Sequence, residues 1–387
     1  MSIPNIIPFH KPYITDDEIN EVVDSVKSGW WTIGPKTKKF EAEFNDYIGS
    51  NYSVSANSWT AAAHLALEAI NLQEGDEVIV PAITFTATAE IICYFKAKPV
   101  IVDVQKDSFN ISPVEIEKAI TKKTKAIIPV HYAGLPCDMD EITDIANNYN
   151  LKIIEDAAHS LPATYKQKKI GTLSEITCFS FYATKTLATG EGGMLCTSNE
   201  EIANRASIMR MHGMNRDAWN RYTSQGSWYY EVIAPGYKYN FTDLQAALGL
   251  AQLKKVDLLY EMRKTISDLY DTAFNDNEYL ITPHKQEDRE SAIHLYPLRL
   301  NLNKIKINRG QFIEEMKNRG IVCSVHFIPL YRHPFYRDTF SLCHSDFPVS
   351  EKIYAEQVSL PIWPGMTDLQ INYIIENVLD IIKLNAK

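Results

Sequence analysis

Residues 176–197 read ITCFSFYATKTLATGEGGMLCT. Two apolar runs, ITCFSFY (176–182) and GGMLCTS (192–198), flank a loop of small residues. Each has the length and composition of a buried strand. The residues between them are too few for the crossover helix that joins parallel neighbours. At least one of the two strands is therefore expected to be antiparallel. The same stretch raises a chemical question. Between Glu175 and Glu191 the one charged side chain is Lys185.

Upstream, further strand-like runs alternate with helix-like ones. The strand candidates are EVIVPA (77–82), KPVIVDV (98–104), KAIIPVHY (125–132) and KIIEDAA (152–158). Helix candidates between them include 86–97, 113–120 and 139–149. Near-continuous apolar strands separated by helices imply an α/β fold with a mostly parallel sheet covered on both faces. An earlier helix begins at a Thr15–Glu18 capping box and stops at Gly29; another spans 59–70 behind Asn57 or Ser58. Past residue 242 the pattern changes. Thr242 and Gln245 cap a long helix running through Leu244, Leu248 and Ala251. Then come HLYPLRL (294–300), a helix near 311–320, the strand-like IVCSVHFI (321–328) and a last helix capped by Thr367 and Gln370. A large domain is expected over 1–245 and a smaller α+β domain over 246–387.

Bulk composition narrows the classes. The 387 residues suffice for a large core plus a second module, and 45% are hydrophobic. A net charge of −9 leaves no basic footprint for nucleic acid. No apolar run approaches membrane-spanning length, and the N-terminal stretch lacks the pattern of a signal peptide. The six cysteines form no C-x-x-C and read as free thiols of a cytoplasmic protein. No H-E-x-x-H or Cys/His cluster suggests a metal, and no P-loop is present.

An isolated lysine in apolar surroundings has one strong use. Burial disfavours the ammonium and leaves a nucleophilic amine, able to form a Schiff base with a carbonyl or with pyridoxal phosphate (PLP). Taken alone, Lys185 also reads as a loop lysine snorkelling to solvent, the commoner case. KIIEDAAHS shifts that balance. It is a buried strand ending in carboxylates, at the sheet edge where α/β proteins bind ligands. Asp156 there suits the pyridine nitrogen of PLP, which a carboxylate keeps protonated; a helix cap or salt bridge is the alternative. ANSWTAAAH (56–64) opens a helix on small and hydroxylic residues, a favourable place for a phosphate.

Together these segments resemble the DegT/DnrJ/StrS family of PLP-dependent sugar aminotransferases. The resemblance spans almost the whole chain. It runs from SGWWTIGPKTKKFE (28–41) through CFSFYATKTLATGEGGM (178–194) and PGYKYNFTDLQAA (235–247) to VHFIPLY (325–331) and SLPIWPGMT (359–367). It is nearest to enzymes that aminate UDP-linked 4-keto sugars, of the 4-amino-4-deoxy-L-arabinose and pseudaminic acid types. It implies fold type I, the aspartate aminotransferase-like fold, with a seven-stranded mostly parallel sheet. Lys185 matches the Schiff-base lysine and proton shuttle, and Asp156 the pyridinium partner. Phe85 matches an aromatic stacked on the ring. Thr60, Ala61 and Ser180 match the phosphate site, and His159 a residue beside the cofactor. Asn240 matches a residue reaching the neighbouring subunit's phosphate, which implies a homodimer with shared sites. Thr32, Ile33, Lys238 and His326 match residues near the sugar, and Tyr331 one near the nucleotide. The implied reaction passes an amino group from L-glutamate to a nucleotide-linked keto sugar for bacterial surface glycan synthesis. The nucleotide (UDP, dTDP or GDP) and the C3 or C4 position stay open. Rival readings are a sugar dehydratase on the same scaffold, in one branch of which a histidine replaces the lysine, and a non-enzymatic regulator.

Overall fold

The computed structural model describes residues 6–215 and 229–387. A seven-stranded sheet forms the centre. Its strands are β1 (Tyr52–Ala56), β2 (Glu77–Pro81), β3 (Lys98–Val102), β4 (Thr124–Ile127), β5 (Lys152–Asp156), β6 (Ile176–Ser180) and β7 (Gly193–Thr197). Their spatial order is β1-β7-β6-β5-β4-β2-β3. From β6 to β3 every pairing is parallel. β7 runs antiparallel to both neighbours, β6 and β1, as its short connection to β6 requires.

Helices α1 (Asp16–Ser28), α2 (Pro35–Ile48), α3 (Trp59–Ala69), α4 (Ala87–Tyr94), α5 (Pro113–Ala119), α6 (Met139–Tyr149), α7 (Glu200–Met209) and α8 (Asp243–Leu253) accompany the sheet. Alternation along the strands explains its two faces. Val78, Val80, Ile154 and Leu195 pack with residues of α3, α4 and α7. Ile79, Ile153, Phe179 and Met194 pack on the other face with α2, α6 and α8. The Thr15–Glu18 and Thr242–Gln245 capping boxes both form, and Gly29 ends α1 in the left-handed conformation. Ser58 caps α3.

Much of the remainder builds a second core. Helix α9 (Val256–Phe274), strands β8 (Leu280–Ile281) and β9 (Tyr296–Leu300), helices α10 (Arg309–Asn318), α11 (Pro334–Phe340) and α12 (Pro348–Glu356), strand β10 (Gln357–Leu360) and helix α13 (Asp368–Leu384) complete the chain. β8, β9 and β10 form an antiparallel sheet that shares a core with Ile266, Tyr270 and Phe274 of α9.

Two expectations change. The long helix after Thr242 is two helices, broken where Lys255 leaves helical geometry. Ala246, Leu250, Leu253 and Val256 pack in the sheet core, whereas Ile266 packs in the second one. A division at 245/246 thus cuts α8, and the change of core falls inside α9. IVCSVHFI is not a strand. It meets its neighbours through isolated bridges, Ile321 with Ile7 and Ser324 with Ser359. Its β-branched residues fit an extended chain, but among the described residues no neighbour runs alongside it far enough to form a ladder.

Gly193 shows how closely the elements around the site are packed. A Cβ there would lie 2.4 Å from the Ser58 carbonyl oxygen and 2.7 Å from the Trp59 amide. These are backbone atoms at the start of α3, which cannot swing aside. Gly193→Ala is therefore expected to cost about 1–3 kcal/mol and lower the thermal midpoint. An unchanged midpoint in a melting experiment would contradict this packing.

Candidate active site

The carboxyl ends of β5 and β6, the start of α3 and the 181–192 loop enclose a cavity of about 540 Å³. Lys185 and Asp156 both line it, with Thr60, Phe85, His159, Ser180 and His326. Seven of the residues singled out in the sequence thus meet in one place.

Asp156 closes β5 and is 4% exposed. Its amide donates to the Pro129 carbonyl and its carbonyl accepts the His131 amide, while the next amide, that of Ala157, donates to the Cys178 carbonyl. Its carboxylate accepts the Ala158 amide at 3.1 Å and the Thr88 hydroxyl at 3.0 Å. Thr84 in turn lies 2.7 Å from Thr88. Burial pushes the carboxyl up to about 6, against the pull of Ala158, Thr88 and the Lys185 charge. The adjacent Glu155 points to the opposite face, as strand alternation dictates. It accepts from Ser174 and Thr177 and lies 2.9 Å from His131 Nε2. The Cys137 amide donates to His131 Nδ1, which leaves the imidazole proton on Nε2, toward Glu155. Burial alone would raise Glu155; these donors outweigh it and hold the carboxyl low. Of the two carboxylates that end this strand, Glu155 is structural and Asp156 faces the cavity.

Lys185 reaches the cavity from the loop. Burial pushes its amine down to about 8; Asp156 opposes that shift and Arg263 adds to it. Four histidines surround it, and none favours a charge. His159 and His294 are driven well below their usual range, and His10 and His326 to about 4, by burial first. His159 is 7% exposed, and its Nδ1 has no partner among the described residues. Its ring sits 4.4 Å from that of His294 and lies nearly parallel to Phe327 at 5.9 Å. His326 is held by Ser359 at 3.0 Å and stacks on Phe9.

The start of α3 supplies donors. Ser58 accepts the amides of Ala61 and Ala62, while those of Trp59 and Thr60 precede the first helical bond. Ser180, closing β6, brings a hydroxyl to the same wall. Trp59 is buried, its indole donating to the Cys178 carbonyl at 3.0 Å. Phe85 stands 59% exposed at the opening.

Six expected residues lie outside this lining. Ala61 is buried in α3, its amide already used by Ser58. Tyr331 is 1% exposed, and its ring lies flat on that of Phe347 at 4.4 Å, within the core behind α3 and α4. An aromatic next to a ligand segment and one filling the core look alike in sequence. Thr32, Ile33, Lys238 and Asn240 do not line the cavity either. The Thr32 carbonyl accepts the Asp243 amide, Ile33 packs on Met211 and Met214, Lys238 bridges Met211, and Asn240 bonds Phe241. The sequence reading passed over His10, Thr88, Arg263, His294 and Phe327. Each gains its role from contacts distant in sequence, and no local pattern marked them. Among the described residues, no three acidic, His or Cys side chains are placed to hold a metal ion.

The residues present suit PLP. A buried carboxylate at the sheet edge, free amides at a helix start, a lysine of lowered proton affinity and an unpartnered His159 nitrogen converge on one cavity. The fold and the cavity define a PLP-dependent transferase of fold type I. Residues 12–379 match the DegT/DnrJ/EryC1/StrS aminotransferase family, and the chain belongs to it. The chain is 53% identical over 381 residues to MJ1066, an uncharacterised protein of Methanocaldococcus jannaschii (98% of this chain, 99% of that one). It is 46% identical over 380 residues to the spore coat polysaccharide biosynthesis protein SpsC of Bacillus subtilis (98% of each). Spr1654 of Streptococcus pneumoniae, assigned as a sugar aminotransferase, superposes with a TM-score of 0.91 at 36% identity (98% of this chain, 99% of that one). Its structures include PLP and PMP forms. The protein is thus a PLP-dependent aminotransferase.

Asp156 yields a pH-dependent test. Its folded-state value lies above the ordinary 3.8, so the folded protein binds the extra proton. Stability from this group is therefore lost as pH rises from about 4 to about 6, and the full cost persists above that. In cofactor-free protein, Asp156→Asn should gain up to about 3 kcal/mol at pH 8 and almost nothing at pH 4. Denaturant unfolding at both pH values checks this; an equal effect at both would contradict the burial cost.

Proposed function

We propose that this aminotransferase moves the amino group of L-glutamate onto a nucleotide-linked keto sugar. A UDP-linked 4-keto hexose or pentose is our first choice. The observation that carries the reading is the meeting of Lys185 and Asp156 in one cavity, among side chains that are otherwise mostly apolar, hydroxylic or neutral imidazole. Family membership and the polysaccharide role in the name of SpsC support a sugar substrate.

Bound PLP supplies an electron sink for the electron pair released when a proton leaves the amine-bearing carbon. Asp156 holds the proton on the ring nitrogen. The amides of Trp59 and Thr60, with the Ser180 hydroxyl, hold the phosphate, and Phe85 covers the ring. Lys185 Nζ, with an affinity near neutral, takes the proton from the amine-bearing carbon and returns it across the same face. The apolar walls exclude water, and the neutral histidines leave Lys185 as the base. In the second half-reaction the same groups work in reverse on the keto sugar.

Thr32, Ile33, Lys238 and Asn240 serve the cavity of a second copy in a homodimer. Their absence from the lining of their own chain's cavity supports this. All six cysteines are unpaired, and no described helix is long and apolar enough to cross a membrane. Both fit our placement of the reaction in the cytoplasm, upstream of surface polysaccharide or lipopolysaccharide assembly.

Borohydride reduction with peptide mapping should fix the cofactor on Lys185. Prior treatment with L-glutamate should prevent that and bleach the visible band. Lys185→Ala should lose at least about a thousandfold in turnover. Label on another lysine, or turnover retained in that variant, would remove the assignment. Keto sugars carrying UDP, dTDP or GDP then identify the acceptor. Mixed dimers test the shared site. Co-expressed Lys185→Ala and Asn240→Asp chains, each poorly active alone, should recover about a quarter of wild-type activity, through one intact site per hybrid. No recovery would place Asn240 in its own chain's site.

A further inference from the structure

Among the described residues, Arg263 is an interior cation without an anion. It lies on α9 and is 1% exposed. Its Nη1 donates to the carbonyls of His294 at 3.1 Å and Ile362 at 2.9 Å, and Nη2 reaches that of Thr184 at 3.5 Å. Among the described residues its Nε has no partner and no carboxylate pairs with it. Burial lowers its affinity to about 10, so it stays charged at neutral pH. Burying an ion costs several kcal/mol, and a well-packed apolar side chain of similar volume often does as well or better for stability. The three carbonyls come from three places. Thr184 precedes Lys185 in the loop, His294 belongs to the cavity wall, and Ile362 follows β10 in the second core.

We propose that Arg263 is a positioning residue of the amino transfer. Its unpaired guanidinium fixes the loop carrying Lys185 against the His294 wall and the second core, and presents a standing positive charge to the lysine amine. The inference rests on Lys185 being the reactive amine.

The groups that face Lys185 make the direction clear. Asp156 comes from β5, His159 from the turn after it, and Arg263 from α9. His294 precedes β9, His326 comes from the 321–328 segment, and His10 from the N-terminal segment. The histidines are neutral and Glu191, which also lines the cavity, is exposed to solvent, so Asp156 and Arg263 are the opposed charges. Asp156 favours the ammonium, and Arg263 favours the free amine. Without Arg263, Lys185 keeps its proton to higher pH and is the poorer base and nucleophile in the neutral range.

Competitive acetylation measures this without reading activity. The full-length enzyme is taken in the pyridoxamine form, in which Lys185 is free. Labelling of Lys185 is compared with that of exposed Lys122 across pH by mass spectrometry. In Arg263→Met and Arg263→Gln, the Lys185 to Lys122 ratio at pH 7.5 should fall about threefold or more. Arg263→Lys, which keeps the charge, should restore it toward wild type. Identical profiles in all four proteins would overturn the proposal. So would a folded Arg263→Lys beside two neutral variants that cannot fold, which would make the side chain a packing element. If Lys185 is not the reactive amine, borohydride trapping fails on its own, independently of the labelling profile.

Discussion

One reversed strand organises this molecule. β7 turns back between β6 and β1, so the chain never crosses the sheet after β6. It loops out at the carboxyl edge instead. That loop is where Lys185 sits, next to the edge where β5 presents Asp156. Had β7 been parallel, a crossover helix would have taken the chain to the far end of the sheet. The absent side chain of Gly193 lets the start of α3 close against β7. A helix start, a carboxylate and a lysine therefore share one cavity as a consequence of a single turn.

The electrostatics follow from dryness. An acid and a base buried together each become poorer ions, and both move toward neutrality: Asp156 up to about 6 and Lys185 down to about 8. The surrounding histidines lose their charge for the same reason, reinforced by the lysine's own field. Behind this wall two further buried ions are handled differently. Glu155 is fully served by donors, and Arg263 makes do with carbonyl oxygens. The first stabilises the strand that ends in Asp156. The second lies where its charge acts on the cavity.

Much of this was legible in the chain. The isolation of Lys185 between Glu175 and Glu191, the strand ending in Asp156, and the short 183–191 connection already implied a loop at a sheet edge. The capping boxes at Thr15, Thr242 and Thr367 fixed three helix starts, because caps are local chemistry. What was not legible depends on distant contacts. The break between α8 and α9 carries no Gly or Pro, and two adjacent lysines there look like an ordinary helix surface. Tyr331 sits in a segment resembling ligand-binding ones, yet its ring is needed to fill the core beside Phe347. His294 and Arg263 became visible only when α9, the 181–192 loop and the residues after β10 were brought together.

In the function we propose, Asp156 keeps the cofactor's ring nitrogen protonated while Lys185 works as the base. Nitrogen-15 NMR of enzyme loaded with ring-labelled PLP reads that proton directly. The ring nitrogen should be protonated at pH 8 in the wild type and unprotonated in Asp156→Asn. A ring nitrogen unprotonated in the wild type, or indifferent to the substitution, would contradict it.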